Sequence, residues 1–181
     1  MKTVFSLTAA AMMALSGGVS AASAFSLSSA DIPADFRLTQ QHVFKGFGCS
    51  GENISPQLSW RNPPAGTKSY AITVFDPDAP TGSGWWHWTM VNIPAQIHDL
   101  PTGLIKTLPA GVVQGRNDFG YAGFGGACPP PGDKPHRYQF TVWALNTATL
   151  PLDSESSGAL VGFMLNAHMI AKAQFTATYG R

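Results

Sequence analysis

Arg137-Tyr138-Gln139-Phe140-Thr141-Val142-Trp143-Ala144-Leu145-Asn146 is the longest alternating stretch of the chain. Tyr138, Phe140, Val142 and Ala144 share one side of it, and Gln139, Thr141, Trp143 and Leu145 share the other. Apolar groups crowd both sides, which predicts a central strand covered on each face. Shorter strand signals flank it. Ser69 to Phe75 is β-branched and aromatic, and it runs into the turn Asp76-Pro77-Asp78-Ala79-Pro80. Trp85 to Ile93 is a further strand, stopped by Pro94; strict alternation would put His87, Thr89 and Val91 on one face and Trp86, Trp88 and Met90 on the other. Val112-Val113 is a short strand, and Gln174 to Tyr179 alternates again near the end. The one good helix signal is late: Ser154-Glu155-Ser156-Ser157 supplies a cap, and Leu160, Phe163, Met164, Ala167 and His168 follow at helical spacing.

Composition agrees with many short strands. Gly 19 and Pro 14 among 181 residues exceed the roughly 12% combined share usual in globular chains. Hydrophobic residues at 44% and charged residues at only 12% argue against a disordered chain or a charged coiled coil. With no internal repeat and no linker composition, residues 25–181 read as one β-rich domain, a sandwich or barrel-like sheet pair. Lys+Arg 11 against Asp+Glu 10 leaves a net charge of +1, and without a basic surplus nucleic-acid binding is not expected.

The first residues have the three-part layout of a secretory leader. Lys2 supplies one positive charge, an uncharged apolar run follows, and Ala22-Ser23-Ala24 is a small-x-small site. Cleavage is expected between Ala24 and Phe25, with Ala22 the alternative, and it would leave Lys+Arg and Asp+Glu in balance. The apolar run is shorter than the roughly 20 residues a membrane span needs, so a periplasmic or secreted protein is expected. Export bears on Cys49 and Cys128. A single bridge is the economical reading in an oxidising compartment, and closing a loop of about 80 residues would stabilise by roughly 4.5 kcal/mol at most. Two buried thiols remain an alternative, as does a two-Cys metal site, though neither Cys belongs to a CxxC pair.

Polar chemistry gathers at strand ends. Asp76 and Asp78 sit in a turn stiffened by two prolines. His87 lies among tryptophans. His136 and Tyr138 open the central strand on one face, with Arg137 on the other. A glycine-rich loop from Gly115 leads to Pro129-Pro130-Pro131, where an X-Pro bond is a candidate for cis. Each motif alone has a plain structural reading: an Asx turn, a hydrogen-bonded core histidine, a stiffened loop.

Together they resemble the phosphatidylethanolamine-binding protein family, also called the Raf kinase inhibitor protein family. The resemblance rests on Asp76-Pro77-Asp78-Ala79-Pro80, Trp86-His87-Trp88 and Gly126-Ala127-Cys128-Pro129-Pro130 leading to His136-Arg137-Tyr138. Asn53-Ile54-Ser55-Pro56-Gln57-Leu58-Ser59-Trp60 and Gly115-Arg116-Asn117-Asp118 look like its bacterial and archaeal YbhB/YbcL branch. The resemblance spans the whole chain after Ala24. It implies a mainly β fold, an antiparallel β-sandwich with a small second sheet and one or two short C-terminal helices. It also implies an anion pocket at one sheet end lined by Asp76, Asp78, His87, His136 and Tyr138, with Pro129 and Pro130 on its rim. One departure stands out: Cys128 occupies a position where the family often has Gly. A Cys49–Cys128 bridge would draw that side chain away from the pocket.

Such a pocket suits a phosphate-like ligand. Two imidazoles and a phenol can donate hydrogen bonds to anionic oxygens. A nearby carboxylate would orient and charge an imidazole from behind, and the other Asp would lie near a cationic head-group amine. With no Lys or Arg chain around these residues, a small, weakly held anion is expected over a polyphosphate. The expected function is therefore a non-catalytic binding protein for small anions or phospholipid head groups. The alternatives are a protein-interaction module or enzyme inhibitor and, third, a hydrolase. Ser83 lies near His87, but no GxSxG elbow, HExxH motif or Cys–His signature occurs. His87, His136 and Asp78 would suit zinc, but the family argues against it, and neither a metal nor a cofactor is expected. A homodimer is compatible with the apolar strand faces.

Overall fold

The computed structural model describes residues 23–104 and 108–181. The expected leader over residues 1–24 lies almost wholly outside the described residues. In chain order the strands are β1 (Ser26–Ser28), β2 (Lys45–Gly46), β3 (Cys49–Ser50), β4 (Leu58–Arg61), β5 (Ser69–Asp76), β6 (Trp85–Pro94), β7 (Asp99–Leu100), β8 (Val113–Gln114), β9 (His136–Leu145) and β10 (Met169–Tyr179). One α-helix, α1 (Gly158–His168), stands between β9 and β10. Among the described residues no helix is long and apolar enough to cross a membrane.

The main sheet has five antiparallel strands in the order β10-β9-β5-β6-β8. The strand read as central, β9, is interior, paired with β10 on one edge and β5 on the other. A three-stranded sheet, β1-β4-β7, covers one face, and β2 and β3 form a separate hairpin. Tyr138, Phe140, Val142 and Ala144 face the larger core, where Leu58, Trp60 and Leu100 of the small sheet meet Tyr70, Ile72, Trp88 and Met90. Trp143 and Leu145 face the other way, into a second core with Ala71, Val91, Val161 and Leu165 beneath α1. The fold is thus the mainly β sandwich that the family resemblance implied.

Three details differ from the sequence reading. The helix is capped by Ser157, whose Oγ accepts from the Leu160 N–H at 3.3 Å, but its buried stripe is Gly158, Val161 and Leu165. Phe163 is 70% exposed, and Leu160 is also exposed. The Trp86 ring lies directly against Gly158, where a Cβ has no room, and this contact turns Val161 and Leu165 inward. The last strand begins at Met169, directly after the helix, rather than at Gln174. Finally, β6 carries an extra residue at His87: Phe75 pairs with Trp86, while Val74 pairs with Trp88. Such a bulge resets alternation. Trp86 packs on the helix side against Phe75 and Gly158. Trp88 enters the larger core, and His87 points beside Tyr138 of that same core.

Candidate functional site

Antiparallel pairing brings the C-terminal end of β5 to the N-terminal ends of β6 and β9. Asp76 pairs with Trp85, and Phe75 lies opposite Gln139. Asp76, His87 and His136 therefore meet at one end of the main sheet. They line a cavity of about 160 Å³ together with Pro129 and Pro130. This is small for a drug-sized ligand, since such pockets run from roughly 300 Å³ upward, but it is ample for one compact head group.

The His136 flank is built on charge. The imidazole Nδ1–H donates to Asp76 Oδ2 at 2.7 Å, and both side chains are almost fully buried. Asp76 Oδ1 accepts from the Asp78 backbone N–H at 2.8 Å, which fixes the carboxylate in an Asx turn. On the far side of the ring, Nε2 lies 3.3 Å from Asp133 Oδ2, an acid that is 44% exposed. Burial alone would pull the His136 pKa down. The hydrogen bond and charge of Asp76, aided by Asp133, outweigh it, and the net shift is upward.

The His87 flank is built on backbone and rings. Its Nδ1 lies 2.8 Å from the Gly125 carbonyl oxygen and 3.1 Å from that of Gly126. The imidazole meets Tyr138 and Phe119 edge to face, at 5.1 Å and 5.5 Å between centroids. Burial pushes the His87 pKa down, and neither the two carbonyls nor the charges of Asp76 and Asp118 reverse the shift. Gly126 is needed here because a Cβ would strike the backbone of His42 to Phe44, against which Ala127 is hydrogen-bonded.

Two of the expected pocket residues stand elsewhere. Asp78 does not line the cavity. It turns outward, where Arg137 N–H and Nε donate to Oδ2 at 2.9 Å each and Nη2 to Oδ1 at 2.7 Å. That fork holds the Asp78 pKa down to about 2, and the strand alternation that aims His136 inward aims Arg137 at Asp78. Tyr138 lies beneath the cavity, 1% exposed. Its hydroxyl is sealed and has no partner among the described residues. Burial raises its pKa, and the Asp76 charge adds to the rise. In its present position the phenol does not reach a ligand.

Trp85, Phe119 and Phe47 line the cavity without having been singled out as pocket residues. Trp85 was legible, two residues before His87. Phe119 and Phe47 are brought in by loops, and Asp133, outside the lining, meets the His136 ring only through the fold of the turn before it. Phe47 sits at the tip of the β2–β3 hairpin, 72% exposed. Cys49 and Cys128 form the bridge, with their Cα atoms 5.9 Å apart. Arg181 donates from Nε to the Pro129 carbonyl and from Nη1 to the Gly48 carbonyl, each at 2.7 Å. Bridge and guanidinium together tie the hairpin to the proline rim, whose peptide bonds are all trans.

Comparison with known proteins agrees with this architecture. The UPF0098 protein YbcL of Escherichia coli K12 is 59% identical over 183 aligned residues, covering 99% of this chain and 98% of its own. The UPF0098 protein YbhB of the same strain is 51% identical over 146 residues, 79% of this chain and 92% of its own. The crystal structure of E. coli YbcL, described as a new member of the mammalian PEBP family, superposes with a TM-score of 0.84 at 62% identity. It covers 87% of this chain and 98% of that one. The family model for phosphatidylethanolamine-binding protein matches residues 30–180, and the chain accordingly belongs to the phosphatidylethanolamine-binding protein family.

Proposed function

We propose that this chain is an exported, non-catalytic binding protein whose cavity takes one small phosphate-like anion, free or as the head of a phospholipid. The observation that carries the reading is the buried Asp76–His136 pair at the cavity wall. A carboxylate behind an imidazole favours its protonated form at the wall of a small hollow. No Lys or Arg stands among the lining residues, which supports a weakly held anion carrying little charge.

Two features support the absence of catalysis. The lining hydroxyl, Thr81, is committed to the Gly84 carbonyl at 2.5 Å. The lining cysteine, Cys128, is locked in the bridge. Neither is free as a nucleophile of the kind covalent catalysis requires. The bridge also fits an oxidising compartment, and exported protein should begin at Phe25 on N-terminal sequencing; a start at Met1 would count against export.

The test is a titration with inorganic phosphate and with phosphoethanolamine, followed by the imidazole resonances. Those of His87 and His136 should move and that of His98 should not. Movement of His98 alone places the site elsewhere. Preference for phosphoethanolamine over phosphate would indicate a head-group ligand. Turnover of generic esters that disappears in a folded His87→Ala protein would overturn the non-catalytic reading. The exposed Phe47 on a clamped hairpin favours a second reading, a protein-interaction or inhibitor role, which protease inhibition measured on the same preparation would bring out.

A further inference from the structure

The tautomer of His87 decides what hydrogen-bonding character the cavity offers on that side. Carbonyl oxygens only accept, so Nδ1 carries the hydrogen shared between Gly125 and Gly126. A neutral imidazole so arranged has a bare lone pair on Nε2. That nitrogen has no protein partner among the described residues, and it is not sealed as Trp85 Nε1 and Tyr138 Oη are. It opens on the cavity that His87 lines. The opposite flank is the His136 ring, which Asp76 at Nδ1 biases toward the charged form, and whose Nε2 an anionic oxygen reaches by displacing the exposed Asp133, 3.3 Å away. The site therefore pairs one imidazole that Asp76 favours as a donor with one unpartnered acceptor.

A ligand filling both positions needs an anionic oxygen for His136 and a hydrogen to give to His87. We infer that the cavity selects anions that bring a hydrogen to give, a phosphate monoester monoanion or a diester head group with an ammonium, over sulfate esters, and that His87 Nε2 is the atom that makes the distinction. This rests on the reading of the cavity as an anion site. A sulfate monoester has the same tetrahedral shape and size, but every oxygen is an acceptor and would face Nε2 lone pair to lone pair. A phosphate monoester keeps one P–O–H below its second pKa, near 6, and donates it. No covalent bond changes; the hydrogen stays on phosphate and is shared with Nε2. The discrimination holds while His87 stays neutral. The groups that face it are Asp76 on β5, His136 and Tyr138 on β9, and Asp118 in the glycine-rich loop. The two acids and the Gly125 and Gly126 carbonyls favour protonation, while burial opposes it and prevails.

The experiment uses the mature, disulfide-bonded chain with methyl phosphate and methyl sulfate at about pH 5.5, where the phosphate ester is chiefly the monoanion. Methyl phosphate should bind on the order of tenfold tighter or more, since an unmade bond to a buried acceptor is penalised in full. The advantage should vanish in His87→Gln, whose amide can turn an N–H toward either anion. Ring-nitrogen NMR of the unmutated protein gives a reading independent of that variant's folding. Nε2 of His87 should appear unprotonated and should shift with methyl phosphate only. Equal affinities, or tighter sulfate, with the His136 resonance moving in both titrations, would overturn the selection rule and leave the anion site standing. No movement of His136 with either ester would overturn both.

Discussion

The β9 flank of the cavity and the β6 flank each present a buried imidazole, and the two are set in opposite ways. His136 hands its Nδ1–H to a buried carboxylate and leans on a second acid. His87 hands its Nδ1–H to two backbone carbonyls and is boxed by rings. Burial disfavours charge on both. A full negative charge at hydrogen-bond distance overcomes that penalty, and carbonyl dipoles do not. The same residue type, at the ends of two strands of one sheet, is thus biased toward the charged form on one side and toward the neutral form on the other. One small hollow can in this way address both an anionic oxygen and a donated hydrogen.

The largest expected effect comes from cutting the rim. Reducing Cys49–Cys128 should lower stability by up to roughly 4.5 kcal/mol, the loop-entropy value for a bridge of this separation, read by chemical denaturation with and without reductant. Gly125 and Gly126 stand three and two residues before the bridged Cys128, so the His87 resonance should move more than that of His136. Equal movement would mean that the flanks are not independently supported.

Next in size is Asp76→Ala, expected to cost about 2–3 kcal/mol at pH 6, because it strands a buried, charged partner. It should also carry the His136 titration midpoint below 6.5, the ordinary histidine value. A midpoint that stayed above it would assign the charge to Asp133 instead.

In the unmutated protein the two imidazoles should titrate on opposite sides of 6.5. The linkage signs follow. His136, raised on folding, contributes stability that is present in full below 6.5 and is lost as pH rises through its folded midpoint. His87, lowered on folding, makes the fold lose stability as pH falls from 6.5 toward its folded midpoint. The two trends partly cancel in a global denaturation curve, and proton NMR of the two rings separates them. Midpoints on the same side of 6.5 would break the comparison. The smallest effect is expected for Asp78→Ala. Its partner Arg137 is largely exposed and the carboxylate faces away from the cavity, so anion binding should stay unchanged in the same titration. A large loss of binding would return Asp78 to the pocket.

Much of this was legible in the residues because it is local. Period-two alternation placed Tyr138, Phe140, Val142 and Ala144 together and put Arg137 on the face opposite His136. The two prolines beside Asp76 and Asp78 announced a rigid turn, and the run Ser154 to Ser157 announced a helix start, which the fold narrows to Ser157. The order and spacing of the DPDAP, WHW and HRY motifs carried the family, and with it the sandwich. Other features depend on what lies across space. No property of β6 read alone reveals that one extra residue at His87 faces a shorter run of β5, so alternation misassigned Trp86 and Trp88. The helix stripe was misjudged because Leu160 and Phe163 are as apolar as Val161 and Leu165. Only the approach of Trp86 to Gly158 decides which pair is buried.

The site divides the same way. That Asp76, His87, His136 and the double proline belong together was carried by motif and strand ends, which the chain writes in consecutive residues. That Asp78 serves Arg137, that Tyr138 is sealed beneath the cavity, that Phe47 and Phe119 complete its walls, and that Asp133 backs the His136 ring, follows from side-chain direction and loop contact. Above all, the opposite states of the two histidines are tertiary properties. An imidazole's pKa and tautomer are set by the charges, dipoles and solvent within a few ångströms, and residues distant in sequence supply those: Asp76 for His136, Gly125 and Gly126 for His87.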